Sequence, residues 1–220
     1  MPRKTYRKKK RNYNTRYRSS AVMPYKGPLQ QTLKTTMTYS DLYVMTSGGI
    51  TTSSYIWSLN GAYDPDSTGV GHQPRGFDQL MALYDHYVVI GTRVELAFSN
   101  PHPTYGAVCI ANIRDSSTPE YNPIDLMENP NRKVKVLGVL DSGDSVGRLS
   151  FNINPNKFLG RSKPLSDPDL KGTTAANPSE GAYLHFGHIA SDRATATAIT
   201  VEATIVYTMV LIEPKNPAQS

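Results

Sequence analysis

The stretch Gly71-His72-Gln73-Pro74-Arg75-Gly76-Phe77-Asp78-Gln79-Leu80-Met81-Ala82-Leu83-Tyr84-Asp85-His86-Tyr87, running directly into Val88 to Asn100, decides how the chain is read. Phe77, Leu80, Met81 and Tyr84 fall at i, i+3, i+4 and i+7, which makes one apolar stripe of a short helix. Pro74 and Gly76 punctuate its start. Asp78 in the first turn and His86 in the last give the charge order that the helix dipole favours. From Val88 the period becomes that of a strand. Ile90, Val94, Leu96 and Phe98 are expected on one face, with Arg93 and Glu95 on the other. Asn100-Pro101 ends the strand. By itself this plan also suits a helix tucked against any β-sandwich.

Outward from this stretch, short apolar runs alternate with turn residues. Leu33 to Met45 alternates through Leu33, Met37 and Tyr39 and changes phase near Asp41, which predicts a bulge. Ser47-Gly48-Gly49 turns into a run 50–59 that holds the only tryptophan, Trp57. Tyr105 to Ile113 is nearly continuous in apolar residues and reads as a strand buried on both faces. Pro123 to Glu128 makes one helical turn inside the connection 114–130. Runs at 134–140 and 149–153 flank the turn Asp141-Ser142-Gly143-Asp144. A long Pro/Gly/Asp-rich loop, 155–181, precedes Tyr183 to Ala190. In the last run Ile199, Val201, Ala203, Ile205, Tyr207, Met209 and Leu211 share a face. With the run 88–99 the strands number eight, and no βαβ unit appears. The predicted class is an all-β sandwich or barrel, with an eight-stranded jelly roll the natural candidate.

Charge divides the chain sharply. Residues 1–18 hold Arg3, Lys4, Arg7, Lys8, Lys9, Lys10, Arg11, Arg16 and Arg18 and no acid. With these nine set aside, 15 of the 24 basic residues face all 18 acidic ones, so residues 19–220 carry −3 while the whole chain carries +6. Such an arm repels itself and has little to bury, which predicts disorder. Tyr6, Tyr13 and Tyr17 interleave with its charges. Cations neutralise phosphates, and tyrosine and arginine planes stack on bases, a combination suited to single-stranded nucleic acid without sequence readout. The run Arg7 to Arg11 also fits a nuclear localisation signal. The organisation expected is an arm at 1–18, a linker at 19–31, a β-domain at 32–213 and a tail at 214–220.

Residues that could carry catalysis do not assemble. Cys109 is the single cysteine and lies in an apolar run, so it reads as an inert buried thiol. His185 and His188 are three apart on a strand, which points them to opposite faces and rules out chelation of one metal by the pair. Asp64-Pro65-Asp66 and Asp167-Pro168-Asp169 read as solvated turns. No nucleophile elbow and no phosphate-binding glycine loop occurs. No cofactor, no metal and no enzymatic activity are expected. No run approaches the roughly 18 apolar residues of a membrane span, and no apolar core follows the basic start as in a secretory signal, so a protein kept inside a cell is expected. Tyrosines number 14, against 5 Phe and 1 Trp, which suits assembly interfaces as well as ordinary strands.

Three features together resemble the capsid proteins of circovirus-like, Rep-encoding (CRESS-DNA) viruses with circular single-stranded DNA genomes. They are the Arg/Lys/Tyr-rich arm Met1 to Arg18, the motif Gly71-x-Gln73-Pro74-Arg75-Gly76-Phe77-Asp78-Gln79 followed by Tyr84, Tyr87 and the strand to Phe98, and the eight-strand layout over 33–212. The resemblance implies a viral jelly roll of two four-stranded sheets and a T=1 shell of sixty copies. It implies that the arm lies on the genome inside and directs nuclear import, through a host import receptor. It implies that the helix at 76–84 lies near subunit contacts, with Gln73, Pro74, Arg75, Asp78, Gln79, Tyr84 and Tyr87 as structural or interface residues. The partners are then other copies of the chain, the single-stranded DNA and a cell-surface receptor, without membrane insertion, in the virion and in the host nucleus during assembly. Two other classes stay open: a cellular nucleic-acid-binding protein with a β-sandwich and basic tail, and a β-sandwich lectin or enzyme with an incidental tail. A capsid of a small RNA virus is a variant of the first reading, since phosphate contacts do not distinguish the two nucleic acids.

Overall fold

Strict alternation in the last strand builds the centre of the molecule. In the structure, a computed structural model that describes residues 27–216, all seven inward residues from Ile199 to Leu211 are fully buried. Burying each large aliphatic side chain contributes about 1.5–3 kcal/mol. Such a strand is stable only between two others, and this one has both. The elements are β1 (Thr32–Thr46), β2 (Tyr55–Ser58), α1 (Phe77–Met81), β3 (Tyr84–Ser99), β4 (Ala107–Arg114), α2 (Pro123–Glu128), β5 (Lys133–Leu137), β6 (Val146–Ile153), α3 (Pro155–Phe158), β7 (Tyr183–Ala190) and β8 (Ala198–Pro214). One antiparallel sheet runs β1-β8-β3-β6 and the other β2-β7-β4-β5. Only β4 and β5 are neighbours both in sequence and in a sheet. Every other connection therefore crosses between sheets, the pattern of an eight-stranded jelly roll.

The inner faces meet in one core. Val94, Leu96 and Phe98 of the first sheet face Trp57, Cys109, Leu184 and Phe186 of the second. The rings of Phe98 and Phe186 stand 5.4 Å apart across the gap. β4 is buried on both faces, as its unbroken apolar run requires. α2 forms over Pro123–Glu128, started by Pro123 and by the Asn122 side chain accepting from Ile124 N.

Three sequence expectations are corrected. The helix in the motif ends at Met81, so Tyr84 and His86 belong to a strand, and that strand opens at Tyr84 instead of Val88. Its residues are captured by β8: Tyr84 pairs with Pro214, Lys215 N donates to Leu83 O, and Lys215 Nζ reaches Met81 O at 2.9 Å. The bulge expected near Asp41 is absent, because β1 pairs with β8 without a slip from Thr32 to Thr46. Asp41 and Tyr43 point inward on β1, and Leu42 and Val44 are exposed. A bulge does occur on β3, between Val89 and Gly91. It swaps the faces, so Tyr87 and Val89 point inward before it and Val94, Leu96 and Phe98 after it. Ile90 therefore leaves the core face and packs with Val88, Val210 and Ile212 outside.

Candidate functional site

The motif around residues 71–87 folds into a knot at one end of the sandwich. Gly76 takes φ 87°, a left-handed conformation that suits glycine, and lets the chain enter α1 sharply. Pro74 is buried and its carbonyl accepts from Phe77 N at 3.1 Å. With its nitrogen facing the carboxylate, the Gln73 amide donates to Asp78 Oδ1 at 2.8 Å, which staples the turn to the first turn of α1. Arg75 and Gln79 are exposed, with no side-chain partner among the described residues. The Tyr84 hydroxyl donates to Gln30 O at 3.1 Å and fixes the segment that leads into β1.

Tyr87 is the hub of this knot. It is fully buried, and its ring meets Phe77 edge-on at 5.4 Å. Its hydroxyl accepts from Tyr63 N and donates to Asn177 Oδ1, both at 3.1 Å. Its backbone exchanges two hydrogen bonds with Gly172. A Cβ on Gly172 would collide with the ring, so the close approach requires glycine there. Burial pushes the Tyr87 phenol up from its ordinary value, and the phenol stays neutral. Asn177 also accepts from Asp64 N at 3.0 Å and donates to Asp64 O at 2.7 Å. One asparagine thus joins the 60–71 loop to the 155–181 loop. Sequence reading passed over it, since an Asn-Pro in a polar loop looks like any turn.

A second polar centre was also missed. Tyr39 and Tyr43 of β1 meet Tyr55 and Trp57 of β2, with the Tyr43 and Tyr55 rings 4.1 Å apart. The Tyr39 and Tyr43 hydroxyls lie 2.6 Å apart, Trp57 Nε1 donates to Tyr43 Oη, and Tyr55 donates to Asp66 Oδ2 at 2.6 Å. Asp66 also accepts from Thr68 N and Thr68 Oγ1. This corrects the reading of Asp64-Pro65-Asp66 as solvated: Asp66 has no exposed surface. Burial, aided by Asp66, raises the Asp64 carboxyl, and burial likewise raises the Tyr39 and Tyr55 phenols. Asp167 instead caps a short 3-10 turn by accepting from Asp169 N, and faces Arg161 at 3.4 Å.

His185 and His188 point to opposite faces of β7, as their spacing requires. His188 Nδ1 lies 2.7 Å from Ser53 Oγ, while His185 Nε2 lies 2.7 Å from Ser116 O outside the core. Burial lowers both imidazoles below their ordinary value. Among the described residues, no group of three His, Cys, Asp or Glu side chains could hold a metal ion. Cys109 is buried, which raises its thiol. No helix among the described residues is long and apolar enough to cross a membrane. The arm residues from Arg3 to Arg18, with Tyr6, Tyr13, Tyr17 and the import run Arg7 to Arg11, lie outside the described residues.

No family model and no curated protein matches the chain. Solved structures do. The Macrobrachium rosenbergii nodavirus matches with a TM-score of 0.51 and 11% identity, over 94% of this chain and 63% of its own. Turnip yellow mosaic virus matches with a TM-score of 0.45 and 15% identity, over 91% and 90%. A 60-mer BFDV capsid protein matches with a TM-score of 0.43 and 9% identity, over 86% and 98%. The likeness to the nodavirus is one of fold. With the sheet order, it gives the chain the two-sheet jelly roll found in viral capsid proteins.

Proposed function

We propose that this chain is the shell subunit of a small icosahedral virus, and that its arm packages a circular single-stranded DNA genome. The observation that carries the reading is the pairing of two parts. One is a body of two four-stranded antiparallel sheets with the jelly-roll strand order. The other is an arm holding nine cations on a chain whose remaining residues sum to −3. A shell concentrates such arms. Sixty copies bring roughly 540 positive charges to one particle, and phosphate neutralisation supplies the binding. The Tyr84 hydroxyl bond to Gln30 O holds the end of the linker 19–31 against the body. The choice of DNA, of a T=1 shell and of nuclear import through Arg7 to Arg11 rests on the resemblance of the arm and of the motif at 71–87 to circovirus-like capsid proteins.

The test is electron microscopy of the purified full chain, with the protected nucleic acid extracted and treated with DNase or RNase. Closed shells of sixty subunits holding DNase-sensitive nucleic acid are expected. RNase-sensitive contents move the reading to an RNA virus. A protein that stays monomeric at all salt concentrations overturns the shell and favours a cellular nucleic-acid-binding protein. Deleting residues 1–18 is expected to abolish packaging and leave the body folded. For import, residues 1–18 fused to a fluorescent protein should carry it into nuclei.

A further inference from the structure

The loop 47–54 between β1 and β2 and the loop 191–197 between β7 and β8 lie side by side at one end of the sandwich. A Cβ added to Gly49 would stand 2.7 Å from Ala194 O, so the two backbones touch. The ties between them are polar. Ile50 is 74% exposed, and residues 191–194 are exposed throughout. The buried side chains of the two loops are those of Ser47, Thr52, Ser53 and Thr197. Thr197 O accepts from Ser47 N at 2.8 Å, and Thr197 N donates to Ser47 Oγ at 3.1 Å. Thr52 N donates to Tyr121 O at 2.9 Å and pins the first loop to the connection before α2. Segments held by hydrogen bonds with little apolar burial open at a lower free energy than the whole fold.

His188 of β7 stands between the two loops and has no exposed surface. Its Nε2 lies 3.0 Å from Thr197 O, and a carbonyl only accepts, so Nε2 carries the hydrogen. Ser53 Oγ accepts from His188 N at 3.0 Å and lies 2.7 Å from Nδ1, so the hydroxyl hydrogen goes to Nδ1. Ser53 N donates to His188 O at 3.0 Å. Both ring nitrogens and the hydroxyl are thus satisfied around a neutral imidazole. A proton on Nδ1 makes it a donor and leaves the Ser53 hydroxyl hydrogen without an acceptor among the described residues. No compensating charge is at hand. Opposite His188 on β4 is Cys109, a buried neutral thiol, and one strand further along the row is the cation of Lys135. Asp192 and Arg193 sit at the exposed tip of the second loop, where Asp192 is engaged by Thr195. Loop 47–54 carries no titratable side chain. We infer that His188 is a proton-operated latch, which holds loop 47–54 against loop 191–197 while its ring is neutral and lets them part in acid. Burial holds the imidazole below its ordinary value in the closed form, and water returns it toward about 6.5 in the open one. The open form therefore binds the extra proton. Its population grows as pH falls below about 6.5, by at most about tenfold per pH unit, until the lowered value is passed. The latch belongs to the body and stands apart from the reading of the chain as a shell subunit.

The test is native-state hydrogen exchange of the full chain, read by mass spectrometry from neutral pH to about pH 5 and corrected for the intrinsic pH dependence of amide exchange. Peptides covering 47–54 and 191–197 are expected to lose protection as pH falls below about 6.5, with a slope of at most one proton, while β3 and β8 stay protected. H188Q puts an uncharged amide at this position and is expected to abolish the pH dependence. H185Q, on the opposite face of β7, is expected to leave it. Protection that does not change with pH in the wild type overturns the inference, as does a pH dependence that survives in H188Q. Should H188Q fail to fold, the wild type still decides. Loss confined to the two loops supports the latch. Equal loss in the loops 100–106 and 138–145, or in β3 and β8, overturns it.

Discussion

The two long margins of the sandwich are closed in opposite ways. Between β1 and β2, four aromatic rings and the buried Asp66 interlock, and their hydroxyl, indole and carboxylate groups satisfy one another. Between β6 and β5 one polar contact spans the gap among the described residues. Lys133 Nζ donates to Ser150 O and sits over the Phe151 ring at 4.7 Å. One margin is sealed by a network that depends on every member. The other has no such network, with Lys135 and Leu137 lying against Gly147, and leaves the first four residues of β5 exposed. The difference teaches that the first margin carries much of the stability of the fold, while the second carries little of it.

Substitutions should separate the two margins. Trp57→Ala removes a fully buried ring and is expected to lower unfolding free energy by about 3–5 kcal/mol in chemical denaturation. Asp66→Ala strands the Tyr55 hydroxyl and the Thr68 donors, and should cost about 2–3 kcal/mol. Tyr43→Phe loses one shared hydroxyl, for about 1 kcal/mol. Lys133→Met keeps the aliphatic stem over β6 and should cost under about 1 kcal/mol. A loss as large as that of Asp66→Ala would erase the contrast.

Acid gives the smallest effect. Burial lowers His185 and His188, so between their folded values and the ordinary 6.5 the unfolded chain binds protons that the folded chain refuses. Their contribution is full above about pH 6.5 and is lost as pH falls through the lowered values. His72 works the other way. Its two ring nitrogens face Gln73 O and Ser40 O, which raises it, so its contribution is full below about pH 6.5 and is lost as pH rises through the raised value. His72 is exposed and its contribution is weak. A thermal midpoint that falls below pH 6.5, and falls less in His188→Gln, is the expected result.

Strands whose two faces differ in polarity were legible. The inward face of β8 was read correctly because threonine and glutamate mark much of its other face, and β6 was found from Leu149 on, three residues after its start at Val146. β3 misled at Val88-Val89-Ile90, where three apolar residues in a row leave the period without a phase, so the bulge could not be seen. β1 misled for a related reason. Leu42 and Val44 look like core, yet the inward register is held by Tyr39 and Tyr43, and Asp41 accepts from the Tyr39 hydroxyl. In the motif, Gly76 and the turn before α1 were visible because their chemistry is local. Asn177 and Gly172 were not, since each meets Tyr87 only once the chain has closed over some 90 residues.

The position of β8 between β1 and β3 sets the order of events when the chain folds. The first strand of the sandwich has no sheet partner until the last has been made, because Thr32 pairs with Ile212. Closing so long a loop makes the search slow, as in other proteins dominated by distant pairings. While the polypeptide is still emerging from the ribosome, β1 must wait unpaired and β3 with only its β6 side filled, open to capture by chaperones. A chain built this way has no finished first sheet before its own synthesis has passed β8.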